Sequence, residues 1–488
     1  MVKIVIGDET QLKLTEDRLT RSGVPAEAGL VIGKFSSKLD KGFVYNLLPT
    51  PPNDSGEPPC SVIDGAGESN KNKKKNSSKA KSQPEAAALF IDKDWVSEHA
   101  RQVSRMLLGG MKVIGIYVWI NENLFKNSTT TLCQTLLGVA EAASSMVSDS
   151  NEAVLVHIGY SPLRWTCRNC SLASNITSSS LRPCEFKMGK VLGSLQTFRC
   201  TYNFDLRLPI PHDELEITKF SNILRDEIIL HAKELSSAKA IINGKLVAEN
   251  QDELSLSDNF HEVELLLPFL QDKYLEACGQ KEVVGVLLFQ GSVCSLSYLN
   301  SKEPILQALI DIKEDIIRSL LSRLDNICDE ADKDLESDGG QENGSDVPVP
   351  HFDLLTQRKQ CILSLPRRVF VPWLDGTYIC DYIQSSETME VLKDHCTELM
   401  SMEVPSDDSE IMEPESNPPT ATASTTNSFW DIAMGLSSAT KPGDSVSKKT
   451  KNIAGTNPAN FTDLKSVLSI LVLIISLILG LVLYIIGD

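Results

Sequence analysis

Two apolar periods alternate along this chain. Asp8–Arg21 carries Leu12 and Leu19 at helical spacing. "AGLVIGKF" (Ala28–Phe35) and "GFVYNLLP" (Gly42–Pro49) are apolar runs parted by a short polar turn, which predicts two strands. Trp95, Val96, His99, Val103, Met106 and Leu107 fall near one helical face. "MKVIGIYVWI" (Met111–Ile120) is almost continuously apolar, as a strand near the centre of a sheet must be. A helix is expected from Thr129 to Met146 and a strand over Ala153–Ser161. "EVVGVLLFQGSVCSLSYL" (Glu282–Leu299) reads as a hairpin turning near Gly291. Pro304–Ile327 is an amphipathic helix on Leu306, Leu309, Ile310, Ile316, Ile317, Leu320, Leu321 and Leu324. Strands alternating with helices imply an α/β (α+β) body over 1–48 and 85–328.

Polar stretches divide the chain. Residues 49–84 are rich in Pro, Gly, Ser and Lys and are expected to be a disordered insertion. Their basic cluster, Lys71 to Lys81, reads as a solvated loop, with a nuclear signal or a contact to anionic lipid as alternatives. Residues 329–346 form an acidic linker, 347–402 a small ordered block, and 403–465 a disordered stalk. One apolar island interrupts the stalk, "SFWDIAMGL" (Ser428–Leu436). Phe429, Ile432, Ala433 and Leu436 follow i, i+3, i+4, i+7, with Trp430 beside them. Phe429, Trp430, Ile432 and Leu436 are therefore candidates for docking on a partner or membrane, although so short a segment forms no stable helix alone.

The chain ends in an uncharged run of 21 residues, 466–486. As a helix it would reach about 31 Å, enough for a hydrocarbon core of about 30 Å. Met1–Lys13 holds no secretory apolar core. Lys448, Lys449, Lys451 and Lys465 precede the run and Asp488 follows it. The expectation is a single-pass tail anchor with its body in the cytosol. The formal net charge of −18, from 47 Lys+Arg against 65 Asp+Glu, disfavours nucleic acid as a partner. Twelve scattered cysteines suit reduced thiols.

Catalytic signals are sparse. The seven histidines show no HxH or HxxxH spacing, and no GxGxxG, GxxxxGK[ST] or GxSxG occurs. No catalytic residue and no cofactor are assigned. Cys167-x-x-Cys170, with Cys184 and Cys200 after it, is a candidate zinc set, though it lacks a second knuckle.

The opening strands and "HARQVSRMLLGGMKVIGIYV" resemble the start of the MPN (JAMM-type) fold, a mixed sheet flanked by helices. Active members of that fold take zinc on a GWYHSHP-like strand and use a glutamate before the first strand as base. Gly115-Ile-Tyr117 matches GWY, which places Val118 and Ile120 at the two histidine positions and Ala26, next to Glu27, at the base. Neither Val nor Ile ligates a metal, so the resemblance implies a pseudoenzyme that binds. A peptidase of MPN type is the alternative. Pairing with an active MPN-like protein is a further implication of the resemblance.

"EDRLTRSGVPAEAGLVIGKFSSKLDKGFVYNLLPTPP", "VSRMLLGGMKVIGIYV", "ALIDIKEDIIRSLLSRL" and "LPRRVFVPW", ahead of a C-terminal anchor, are similar to the odorant-response-abnormal-four family. That resemblance implies an adaptor at the endoplasmic-reticulum membrane that assists folding or export of multi-pass receptors. It also implies a ubiquitin-fold-modifier-specific protease as partner. A membrane-fusion role would need heptads running into the anchor, and the prolines of the stalk, Pro405 to Pro458, exclude them.

Overall fold

The computed structural model describes residues 2–36, 39–63, 88–144, 152–172, 180–211, 220–247, 259–267, 283–337, 361–404, 410–415 and 418–425. These lie in one compact unit, Met1–Ser428. Lys71 to Lys81, the island Phe429–Leu436 and the expected anchor at 466–486 lie outside the described residues. Among the described residues, no helix is long and apolar enough to cross a membrane. The fold is mixed α/β, as its alternating periods predict.

The first lobe contains β1 (Ile4–Asp8), α1 (Glu9–Ser22), β2 (Glu27–Ser36), β3 (Lys41–Pro49), β4 (Cys60–Ile63) and β5 (Ala88–Ile91). It continues through α2 (Lys93–Met106), β6 (Lys112–Trp119), α3 (Glu122–Asn127), α4 (Thr129–Ala142), β7 (Glu152–Tyr160), β8 (Leu163–Ser171) and β9 (Arg182–Gly189). Seven of these strands close into a barrel in the order β1-β3-β2-β6-β7-β8-β9, sealed by parallel pairing of β9 with β1. β6 lies between β2 and β7, which is why its sequence is apolar throughout. A Cβ at Gly115 would sit 1.8 Å from the Val154 carbonyl oxygen, so β6 and β7 approach only because that position is glycine.

Alternating side chains give the barrel strands two buried faces. Val31, Tyr117, Val154 and Val156 pack with Leu12 and Leu19 of α1. Leu30, Ile32, Ile116, Val118 and Leu155 pack with Val96, Val103 and Met106 of α2 and with Leu132 and Leu136 of α4. Asp8 caps α1, accepting from Thr10 N (3.1 Å) and Gln11 N (3.2 Å). Its other oxygen accepts from Val191 N and Leu192 N, both at 3.1 Å, at the exit from the barrel.

The second lobe contains β10 (Leu195–Pro211), α5 (Phe220–Ser236), β11 (Lys239–Ile242), β12 (Lys245–Leu246), β13 (Phe260–Leu266), β14 (Val283–Asn300) and α6 (Ile305–Ser337). β15 (Cys361–Ser364), β16 (Arg367–Pro372), β17 (Tyr378–Ile383), α7 (Met389–Met400) and β18 (Thr420–Thr425) complete it. Its seven-stranded sheet has the order β12-β11-β13-β10-β14-β18-β15. The faces of β14 belong to different cores. Leu287, Phe289, Val293 and Leu299 pack beneath α5 and α6. Cys294, Leu296 and Tyr298 join α2 and the β16–β17 hairpin.

Four expectations are corrected. Glu282–Leu299 is no hairpin: β14 runs straight through Gly291 because β10 pairs with it along nearly its whole length. Gly291 instead admits Pro419, whose Cα lies 2.6 Å from where a Cβ would stand. Within the expected insertion 49–84, Cys60–Ile63 forms β4, paired with β5. Within the expected acidic linker 329–346, residues 329–337 continue α6. Within the expected stalk 403–465, Thr420–Thr425 is β18, inserted between β14 and β15, and Ile411 and Glu415 are buried. Its Thr-Ala-Thr-Ala-Ser-Thr sequence reads as polar linker because its burial comes from strand neighbours rather than from bulky apolar residues.

β18 covers β14 only from Gly285 to Gln290. Beyond Gly291, charged side chains take over that edge. Cys294 N donates to Glu415 Oε1 (3.0 Å), and Arg368 Nη1 donates to the Cys294 carbonyl (3.0 Å). Arg368 also forks onto Asp315, at 2.8 and 2.9 Å, and Ser295 Oγ donates to Asp315 Oδ2 (2.7 Å). Arg323 donates to Glu415 (2.6 Å) and to the Pro366 carbonyl (3.0 Å). The side chains of Arg323, Arg368, Asp315 and Glu415 are all at most 1% exposed. Burial alone would raise the Asp315 carboxyl, but Arg368, Arg318 and Ser295 outweigh it and hold it below the ordinary range.

Removing one member of such a pair leaves the other charge buried and uncompensated, at a cost of about 3–5 kcal/mol. Arg368→Met is therefore expected to lower the stability of the purified chain by about that amount in urea denaturation. The double variant Arg368→Met/Asp315→Leu is expected to recover part of the loss, because the two fully buried charges leave together and, among charged groups, only the partly exposed Arg318 loses a partner.

Candidate functional site

Beside Ala26, the position matched to the MPN base, stands a clamp on Glu27. Glu27 opens β2 beside α1, and Arg18 reaches across to it with two hydrogen bonds, 2.9 and 2.6 Å. Tyr117 of β6 donates to Glu27 Oε1 (2.6 Å), and Arg18 Nη2 donates to the Tyr117 oxygen (3.2 Å). Burial and the neighbouring Glu27 push the Tyr117 phenol well above its usual value, so it remains a donor. The Glu27 carboxylate is thus held by a guanidinium fork and a phenol, and its hydrogen bonds are made within the protein.

The two positions where metal-binding histidines would stand point into the core. Val118 and Ile120 are fully buried against α2 and α4. His157, from β7, stands beside Val118 in the parallel register. Its Nε2 donates to the Ile120 carbonyl (3.0 Å), its Nδ1 faces Thr166 Oγ1 (3.4 Å), and its ring stacks on Phe125 at 4.1 Å. Both nitrogens are thus engaged inside the protein.

The candidate zinc set does not converge. Cys167 and Cys170 are three apart on β8, so they face opposite sides of the strand: Cys167 lies in the α1-side core and Cys170 in the α2-side core. Cys184 lies opposite Cys167 on β9, while Cys200 belongs to the second lobe's core. Among the described residues, no group of three or more His, Cys, Asp or Glu is placed to hold a metal. The docking candidates Phe429, Trp430, Ile432 and Leu436 lie outside the described residues.

One dyad was not anticipated. His395 Nδ1 of α7 meets Asp381 Oδ2 of β17 at 2.9 Å, and that contact raises the imidazole. The adjacent thiols cannot serve as its nucleophile. Cys380 and Cys396 are fully buried, and burial pushes Cys396 up to about 12. Between the barrel and α6 lies an open cleft of about 1100 Å3, whose lining includes Lys34, Arg105, Lys112, Asp311 and Glu314. Its charges pair across the lobes: Lys112 with Glu314 (3.2 Å), Arg105 with Asp329 (2.9 Å), and Lys34 with Asp311.

Asp311, Asp315, Ser319 and Arg323 follow one another at four-residue spacing along α6, and all four are buried. Sequence patterning places them on a helix's polar, solvated side. In the structure that side carries the contacts to the barrel and to β16. The available signal was the alternation of acid, hydroxyl and arginine at strict i+4 spacing.

A family model described as ODR4-like, "Odorant response abnormal 4-like", matches residues 29–411. The chain belongs to the ODR4-like family. A mouse protein odr-4 homolog is 26% identical over 411 residues, covering 80% of this chain and 81% of that one. The Dictyostelium discoideum homolog is 25% identical over 400 residues, covering 79% and 78%. The family match runs through both lobes and includes Asp315, Arg323 and Arg368. Among solved structures, a crystal structure of UfSP from C. elegans aligns with 83% of this chain and 57% of its own. Its TM-score is 0.37 at 7% identity, a likeness that bears no weight on activity.

In this ODR4-like chain, burial lowers the imidazoles of His99, His157 and His231. At His99 burial outweighs an opposing contact: its Nε2 donates to the Leu399 carbonyl (2.9 Å), which favours the charged ring, and its Nδ1 meets Thr50 Oγ1 (3.2 Å), so the side chain ties α2 to α7. A folded-state value below the unfolded one, about 6.5, gives stability that is complete above it and lost as pH falls. His395 works the other way, contributing below about 6.5 and losing its contribution as pH rises through its raised value. Among the described histidines with a resolved shift, three lowered groups oppose one raised group. The thermal unfolding midpoint is therefore expected to fall from pH 7 to pH 5, and His99→Phe to flatten that slope.

Proposed function

We propose that this chain is a non-catalytic, tail-anchored adaptor of the endoplasmic-reticulum membrane. Its work is to assist folding or export of multi-pass receptors and to bring a ubiquitin-fold-modifier-specific protease to that membrane. Membership of a family named for an abnormal odorant response supports the receptor side of this reading. The uncharged run at 466–486 supports the anchored topology.

One observation carries the non-catalytic part. On the MPN-like alignment, both metal positions are buried aliphatic residues, Val118 and Ile120, and the base position lies beside Glu27, which Arg18 and Tyr117 hold. Neither a Lewis acid nor a general base can be assembled there from these side chains. Peptidase chemistry of MPN type therefore lacks its residues on this reading.

Co-expression of the full-length chain with a tagged ubiquitin-fold-modifier protease tests the reading. The protease is expected to move into the membrane fraction, and deletion of Ser466–Asp488 to return it to the cytosol while the two proteins still co-precipitate. A protease whose distribution ignores the chain would overturn the adaptor. Purified chain that cleaves an isopeptide bond in a chelator-sensitive way would overturn the non-catalytic assignment.

A further inference from the structure

Cys167 of β8 and Cys184 of β9 stand directly opposite one another in antiparallel register. Side chains so placed have Cβ atoms about 4.5–5.5 Å apart, next to the separation a disulfide requires. Both face the same side of the sheet, since Cys167 lies in the α1-side core and Cys184 packs against it. The next residues outward on that face, Trp165 and Phe186, stack at 5.7 Å with an interplanar angle of 4°, so the two strands lie close there. The two thiols also act on each other, raising Cys167 and lowering Cys184.

The position gives the pair leverage. β8 and β9 share only three register pairs, Cys167–Cys184, Arg168–Pro183 and Asn169–Arg182, and these complete the barrel's closure. Access distinguishes it from the other neighbouring thiols. Cys133 and Cys170 are both buried, as are Cys200 and Cys294, whereas Cys184 is partly exposed.

We propose that Cys167 and Cys184 form a reversible disulfide that locks β9 onto β8, making barrel closure responsive to the thiol–disulfide balance around the protein. The oxidant is a small disulfide such as glutathione disulfide. The Cys184 thiolate attacks one of its sulfurs, forming a mixed disulfide and releasing one glutathione thiolate. Cys167 then loses its proton and attacks the Cys184 sulfur, breaking the mixed bond and releasing the second glutathione. The protein pair gives up two electrons and two protons, and one glutathione disulfide becomes two glutathiones. Thioredoxin-type dithiols reverse the exchange.

The purified full-length chain, treated with glutathione disulfide, alkylated and digested, supplies the test. A Cys167–Cys184 linked peptide is expected to form before any other linkage and to be released by dithiothreitol. The thermal midpoint is expected to rise by several degrees with it, because the bond closes the segment between the two strands. Cys184→Ser should remove both effects. Cys167→Ala should leave a persistent glutathione adduct on Cys184, since the resolving thiol is gone. Full alkylation of both cysteines in the oxidised wild-type chain would overturn the proposal. So would a lasting wild-type adduct on Cys184, or its linkage to a different cysteine.

Discussion

The Arg368–Asp315 pair, with Arg323 and Glu415 behind it, is the contact that holds α6, β14 and the β16–β17 hairpin together. β14 lends one face to each lobe's core, but its β18 neighbour ends opposite Gln290. An unpaired strand edge inside a protein is costly, because each buried N–H and C=O needs a partner. Glu415 and Arg368 supply those partners at Cys294 and carry opposite charges that must themselves be neutralised. Asp315 and Arg323 do so from α6. The guanidiniums also lie 5.4 and 5.7 Å from the Tyr382 ring centroid, so the hairpin covers the cluster with an aromatic face. A backbone vacancy is thereby turned into a charged joint linking α6, β14, β16 and the segment around Glu415.

This joint gives physical meaning to two sequence stretches that otherwise look unrelated. "ALIDIKEDIIRSLLSRL" and "LPRRVFVPW" are tied together because Asp315 in the first pairs with Arg368 in the second, and Arg323 in the first donates to the Pro366 carbonyl in the second. A second ionic contact extends the same stripe toward the barrel, where Lys34 of β2 meets Asp311. Gly110 leaves room for that carboxylate, which a Cβ would strike at 2.5 Å.

Local order was legible wherever one period dominated. The apolar run of β6, the face of α2 and the amphipathic length of α6 follow from side-chain spacing alone. What escaped was decided by partners remote in sequence. Gly291 looks like a turn residue, and only the long β10 partner and the nearby Pro419 show that it is a place of close approach. β18 looks like linker, since its order comes from being inserted between two strands. The cysteine set failed on geometry: three residues along a strand reverse direction, so Cys167 and Cys170 cannot share an ion. The burial of Val118 and Ile120 was readable directly from the apolar run of β6, whereas the Arg18–Glu27–Tyr117 clamp joins three elements and emerges only when they are assembled.

By fixing β14, whose two faces serve both cores, the ionic joint makes the barrel and the second sheet one cooperative unit in place of two hinged modules. Hydrogen exchange measured by mass spectrometry on Asp315→Asn and the wild-type chain tests it most directly. The account predicts that protection falls together in β6 of the barrel and β14 of the second sheet, by the same factor, because losing the joint uncouples both cores. Faster exchange confined to β16 and the residues around Glu415, with β6 and β14 unchanged, would contradict it.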